Sequence, residues 1–133
     1  MKLRIALAQI APRLGDLRTN LQVHLQYIEQ ARQAGADLIL FPELSLSGYV
    51  LQDLVPWVAR RPKPEDDLFR PLFQASQEMD IAFGFVDEDD HHRFYIAAAY
   101  LSGGKLLHVH HKVYLPTYGL FDEGRFFAAG GRV

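Results

Sequence analysis

Hydrophobic positions along this chain follow two rhythms. Residues 3–10, Leu-Arg-Ile-Ala-Leu-Ala-Gln-Ile, make a short apolar run that is too brief for a surface helix and suits a central strand covered on both faces. Leu21, Leu25, Ile28 and Ala31 then recur at helical spacing, with Gln26, Glu29, Gln30 and Gln33 on the other side, which predicts an amphipathic helix. Thr19 followed three residues later by Gln22 fits a capping box at its start, and Gly35 fits a stop at its end. Asp37-Leu38-Ile39-Leu40-Phe41 is a second apolar run, closed by Pro42, which cannot donate to an interior ladder. Strand, helix and strand at this spacing form a βαβ unit with parallel pairing.

Beyond Ser45 the pattern loosens as far as Pro64, with Gly48, Pro56, Trp57 and Pro62 inside it, as expected of a long structured connection holding a short helical turn. Leu68, Phe69, Leu72, Phe73, Ser76 and Met79 give a second helical stripe, and Pro71 must lie in its first turn or kink it. Strands are expected at Ile81–Val86, Phe94–Leu101 and Lys105–Tyr114. The last two are joined by Ser102-Gly103-Gly104 as an antiparallel hairpin. The charged run from Asp87 to Arg93 reads as a solvated turn.

Composition narrows the class. At 133 residues with 49% apolar and 23% charged positions, one globular domain is expected. A net charge of -2 offers no basic excess for a phosphate backbone, so no nucleic-acid partner is expected. The apolar runs are far too short to cross a bilayer, and Met1-Lys2-Leu3-Arg4 leads directly into a strand; the expectation is a soluble, cytoplasmic protein without a membrane partner. The chain has no cysteine, which removes disulfides, thiolate metal sites and any thiol nucleophile of its own.

Few residues remain for chemistry. Glu43 follows Pro42 at the carboxyl end of the second parallel strand, where ligands of open α/β sheets bind; a lone glutamate there serves equally well as a base or as a cap. Counting by twos places Leu106, His108, His110 and Lys112 on one face of the last strand, the ordinary pattern of a polar edge strand. His108 and His110 could face a metal, but no third ligand is evident, so neither metal nor cofactor is expected. Glu123 lies in a loop with Tyr118 and Phe121, and composition does not separate a docked loop from a binding wall.

The segments Phe41-Pro42-Glu43-Leu44-Ser45-Leu46-Ser47-Gly48-Tyr49 and His111 to Phe127, together with Ile5-Ala6-Leu7-Ala8-Gln9, resemble the leading motifs of the nitrilase, or carbon-nitrogen hydrolase, superfamily. Gly48–Leu54 and Tyr114–Glu123 look most like the glutamine-hydrolysing domain of NAD synthetases. The resemblance implies an α/β fold, the first half of a four-layer α-β-β-α sandwich. It also implies hydrolysis of an amide or nitrile through a covalent cysteine intermediate. By the same resemblance Glu43 matches the general base, Lys112 the oxyanion-stabilising cation and Glu123 a second carboxylate, while Tyr49 and Tyr118 match substrate-binding positions. A carboxylate can take the thiol proton and later activate water, and a cation beside the carbonyl oxygen offsets charge that develops only in the tetrahedral state.

In the superfamily the nucleophile lies beyond the position of Glu123, so residues 1–133 are expected to form an incomplete hydrolase domain, inactive alone. A half-sandwich leaves an apolar sheet face to be covered by the rest of the polypeptide or by a second copy. The alternative reading is a non-catalytic module that acts by association.

Overall fold

The computed structural model describes residues 1–132. In chain order it forms β1 (Ile5–Leu7), α1 (Leu17–Gln33), β2 (Leu38–Leu40), a 3-10 turn (Gln52–Leu54), α2 (Val55–Val58), α3 (Arg70–Ala75), β3 (Asp80–Glu88), β4 (Phe94–Ser102), β5 (Lys105–His111) and α4 (Glu123–Phe126). One five-stranded sheet runs β1-β2-β3-β4-β5. Its first three strands are parallel, and β4 and β5 join antiparallel.

The βαβ unit forms as the pattern requires, with local corrections. Helix α1 begins at Leu17, before the expected capping box, because the Asp16 carboxylate accepts both the backbone N–H and the hydroxyl of Thr19 at 3.1 and 2.8 Å; an aspartate is a better cap than the threonine it binds. Gly35, at φ 74°, closes the helix while Ala36 N–H bonds the Ala31 carbonyl, a left-handed C-terminal cap. Strand β1 is an edge strand of the described sheet instead of a central one: Ile5 and Leu7 are 46% and 77% exposed, because among the described residues nothing pairs beyond β1 and α1 and α3 lie on the other face. The stripe of residues 68–79 is helical only over Arg70–Ala75, with Pro71 in its first turn.

Gly103 and Gly104, both at positive φ, make the two-residue turn between β4 and β5, the geometry that matches strand twist. Leu101 pairs with Leu106 while Tyr100 pairs with His108, so Leu107 is an extra residue in β5. That bulge breaks the count by twos. Leu106 and Val109 turn to the helix-covered core, and His108, His110 and Lys112 keep the opposite face without Leu106. The strand stops at His111, three residues short of expectation, although Lys112 N–H still bonds the Ile96 carbonyl at 2.8 Å.

Helices α1 and α3 pack on one face around Phe69, Phe83 and Phe85, whose ring centroids lie 5.8 to 6.0 Å apart. Each such ring contributes about 1.5–3 kcal/mol by leaving water. On the opposite face Val86 and Ile96 are covered by Leu44, Leu51, Val55 and Val58 from the connection after β2. Farther along that face Leu7 and Ala98 are exposed, and Leu40, Ala82 and Tyr100 are half-buried. Among the described residues no helix is long and apolar enough to cross a membrane.

Candidate active site

The site begins where β2 stops. Phe41 N–H still bonds the Ala82 carbonyl at 2.9 Å, and the chain then turns through Pro42, Glu43 and Leu44 directly over Gly84. Leu44 sits at φ 51°, left-handed and fully buried. A branched side chain there costs about 1–2 kcal/mol in backbone energy, offset by its burial against Val55, Val58, Val86 and Ile96. A Cβ on Gly84 would lie 2.3 Å from Leu44 N and 2.7 Å from the Pro42 carbonyl oxygen. Only glycine permits this approach, which fixes the place from which Glu43 projects.

Two other segments meet Glu43. The Lys112 ammonium donates to both Glu43 oxygens at 3.2 and 3.0 Å and to Glu123 Oε1 at 3.0 Å. Lys112 is steadied by its own backbone bonds to Ile96 and Gly130 and by its neighbour His111, which stacks on Tyr95 and pairs with Asp87 at 2.7 Å. Glu123, 5% exposed, opens α4, and its Oε1 also accepts the Tyr49 hydroxyl at 2.6 Å. Its Oε2 has no hydrogen-bond partner among the described residues. Burial alone would lower the Lys112 pKa, but the hydrogen bonds and charges of Glu43 and Glu123 prevail and raise it, so the ammonium persists at neutral pH. Desolvation first, then the bond to Glu123, raises the Tyr49 pKa and keeps the phenol protonated.

The structure thus brings together Glu43, Lys112, Glu123 and Tyr49. Tyr118 stands apart, 72% exposed, edge-on to Phe121 at 5.8 Å; Phe121 is in turn edge-on to Tyr49 at 6.3 Å. The His108 and His110 rings are 6.3 Å apart, and among the described residues no group of three metal-ligating side chains forms. Glu43 and Lys112 edge a recess of about 390 Å3 on the open sheet face, beside Gly84, Ala98 and His110.

Sequence reasoning missed what lies beneath Glu43. His24, fully buried on α1, stacks on Phe41 with centroids 4.1 Å apart, and its Nδ1 and Nε2 lie 2.7 and 2.8 Å from the Asn20 carbonyl and the Ser45 hydroxyl. The signal was present, since His24 precedes Ile28 and Ala31 at helical spacing. Burial lowers its pKa from 6.5 to about 4, against a raising contribution from the Asn20 bond. The unfolded chain therefore takes up this proton first as pH falls. The stabilising effect is complete above pH 6.5 and is lost on the way down to pH 4, a loss of about 3 kcal/mol. Urea midpoints between pH 7 and 4 should show this dependence, and His24→Phe should flatten it; an unchanged slope in the variant would assign the effect elsewhere.

The α/β sheet thus delivers a lysine between two carboxylates at a strand end, side-chain types able to hold a proton and to oppose a negative charge. The carbon-nitrogen hydrolase family profile matches residues 4–132, and the chain belongs to that family. A glutamine-dependent NAD(+) synthetase of Acinetobacter baylyi is 37% identical over 129 residues, covering 96% of this chain and 23% of that protein. The glutamine-dependent NAD+ synthetase of Acinetobacter baumannii, solved with ADP, superposes with a TM-score of 0.83 at 34% identity, over 99% of this chain and 25% of its own. A variant amidase from Nesterenkonia sp. AN1, whose active-site cysteine has added acrylamide, superposes with a TM-score of 0.82 at 25% identity over 98% of this chain and 51% of its own. The chain spans about a quarter of the length of the synthetases it matches. The nitrilase-type α/β fold expected from the motifs is the one observed.

Proposed function

We propose that residues 1–133 supply the acid-base and electrostatic half of a carbon-nitrogen hydrolase domain that cleaves the side-chain amide of glutamine, with the attacking thiol contributed by residues outside this cysteine-free chain. The observation that carries this reading is the Lys112 ammonium held between Glu43 and Glu123. Glu43, 42% exposed at the recess, takes the thiol proton as sulfur attacks the amide carbon. Lys112 offsets the charge that develops on the carbonyl oxygen, and the proton passes to the departing ammonia. Glu43 then activates the water that releases glutamate from the thioester. Glu123 holds Lys112 charged and, through Tyr49, fixes one wall of the substrate site; Tyr118 closes the outer end of the same aromatic wall. Glutamine is favoured over other amides and nitriles by the likeness to glutamine-dependent synthetases. By itself the chain is inactive and acts in the cytoplasm, joined to the remainder of a longer polypeptide or paired with another copy over its open face.

In a polypeptide that joins this chain to the thiol-bearing remainder, ammonia release from glutamine is the expected result, and Glu43→Gln should lower kcat about 10²–10⁴-fold, the usual share of a general base. Release from short aliphatic amides or nitriles but not from glutamine would overturn the substrate assignment. Unchanged turnover in Glu43→Gln would overturn the role of that residue, and no release from any substrate would favour a module acting by association.

A further inference from the structure

We infer that Asn20 and His24, one turn apart on the inner face of α1, act with Ser45 as positioning residues for Glu43. Its catalytic meaning rests on the function proposed above. The geometry itself does not.

The turn that presents Glu43 continues β2 beside β3 without being a strand, and its ladder is completed by a side chain. Gly84 N–H donates to the Ser45 hydroxyl oxygen at 3.1 Å, while Leu46 N–H donates to the Gly84 carbonyl at 3.0 Å. A hydroxyl can rotate, so something must direct its proton. The Asn20 carbonyl can only accept, which makes His24 Nδ1 the donor in that pair and leaves Nε2 to accept from Ser45. With its proton sent to His24, Ser45 keeps a lone pair for Gly84. Without that acceptor, the hydroxyl's alternative is the longer bond to the Gly84 carbonyl, 3.4 Å away, which turns its lone pairs and loosens the fixed geometry in which it accepts the strand N–H. Asn20 fastens the same turn from the other side, its Nδ2 donating to the Leu46 carbonyl at 2.8 Å. Asn20, His24 and Ser45 are all at most 1% exposed, and the peptide of Glu43 rests on Gly84. The polar chain inside an apolar layer therefore ends on the residue that carries the base.

Ser76 provides a matched control. It is equally buried and its hydroxyl also accepts a glycine N–H, that of Gly104, at 3.1 Å, but at the far end of the sheet. The test is NMR titration of the Lys112 ammonium in the full chain, together with urea midpoints, for wild type, Ser45→Ala, His24→Phe and Ser76→Ala. The expected result is a shift of the Lys112 titration to lower pH in Ser45→Ala and His24→Phe, as the Glu43 carboxylate leaves the ammonium. Ser76→Ala should lower the midpoint with Lys112 unmoved. His24→Gln, which retains a donor and an acceptor, should restore part of the shift. If Ser45→Ala and His24→Phe lower the midpoint as Ser76→Ala does and leave Lys112 titrating as in wild type, the polar chain is structural only and the inference is wrong. No substrate enters this measurement, so a shifted titration here, beside a polypeptide joined to the thiol-bearing remainder that releases no ammonia from any substrate, would overturn the proposed function and leave the positioning role standing.

Discussion

In a polypeptide that joins this chain to the thiol-bearing remainder, Gly84→Ala is expected to lower turnover of the proposed glutamine substrate by about 100-fold, the scale of loss that follows a displacement of about 1 Å in a reacting group. The added Cβ meets backbone atoms of Pro42, Glu43 and Leu44, the nearest at 2.3 Å, and backbone cannot step aside by changing rotamer. The strand beneath is held by β4 from Ile81 to Glu88, so the turn yields first and carries Glu43 away from Lys112. Overpacking of this kind costs about 1–3 kcal/mol in stability, enough to lower a urea midpoint without unfolding the protein. Gly131→Ala, where nothing lies within 4 Å of the new carbon, should change neither quantity. The loss should fall on kcat, because in the proposed mechanism Glu43 moves protons and contributes little to holding the substrate. A folded Gly84→Ala protein with wild-type kcat would show that the close approach does not govern the base.

This sensitivity explains which parts of the site could be read from residue order. The strand, helix, strand unit was legible because α1 shows a 3.6-residue rhythm and β2 ends in Pro42, both local signals. The hairpin of β4 and β5 was legible from its paired glycines. Glu43 was a candidate from its place at a strand end as well as from its motif, but its meeting with Lys112 and Glu123 was not legible locally, since 69 residues separate the first two and no local pattern reports an ion pair formed across a sheet. The place of β1 at an edge depends on which strands pair, which a single apolar run does not encode. The Leu107 bulge depends on register against β4, and one extra residue was enough to move Leu106 to the other face. The Asn20, His24 and Ser45 chain escaped notice because polar side chains on a helix are read as solvent-facing; here they are tolerated inside because each finds a partner within hydrogen-bond distance.

Lys112→Ala should damage activity and stability together, and the two effects can be separated. Removing the ammonium leaves Glu123, almost wholly buried, facing Glu43 with no cation between them. Breaking a buried pair in this way costs about 3–5 kcal/mol, and the lower figure is expected because Glu43 is partly hydrated and screened. The companion loss in turnover is about 10²–10³-fold, the usual consequence of deleting one group that stabilises an oxyanion. If the stability loss comes from the stranded carboxylate, the double variant Lys112→Met with Glu123→Gln should recover most of the urea midpoint, since a neutral amide and an apolar chain of similar length replace the buried charges. Activity should not recover at all, because nothing in the repaired site opposes the charge on the carbonyl oxygen. Lys112→Arg separates charge from shape: the planar guanidinium keeps the positive charge but cannot set one compact ammonium within about 3 Å of three carboxylate oxygens, so stability should be largely kept while kcat still falls. A double variant that regains turnover along with its midpoint would remove Lys112 from the chemistry and leave it a structural tie between the end of β5 and α4.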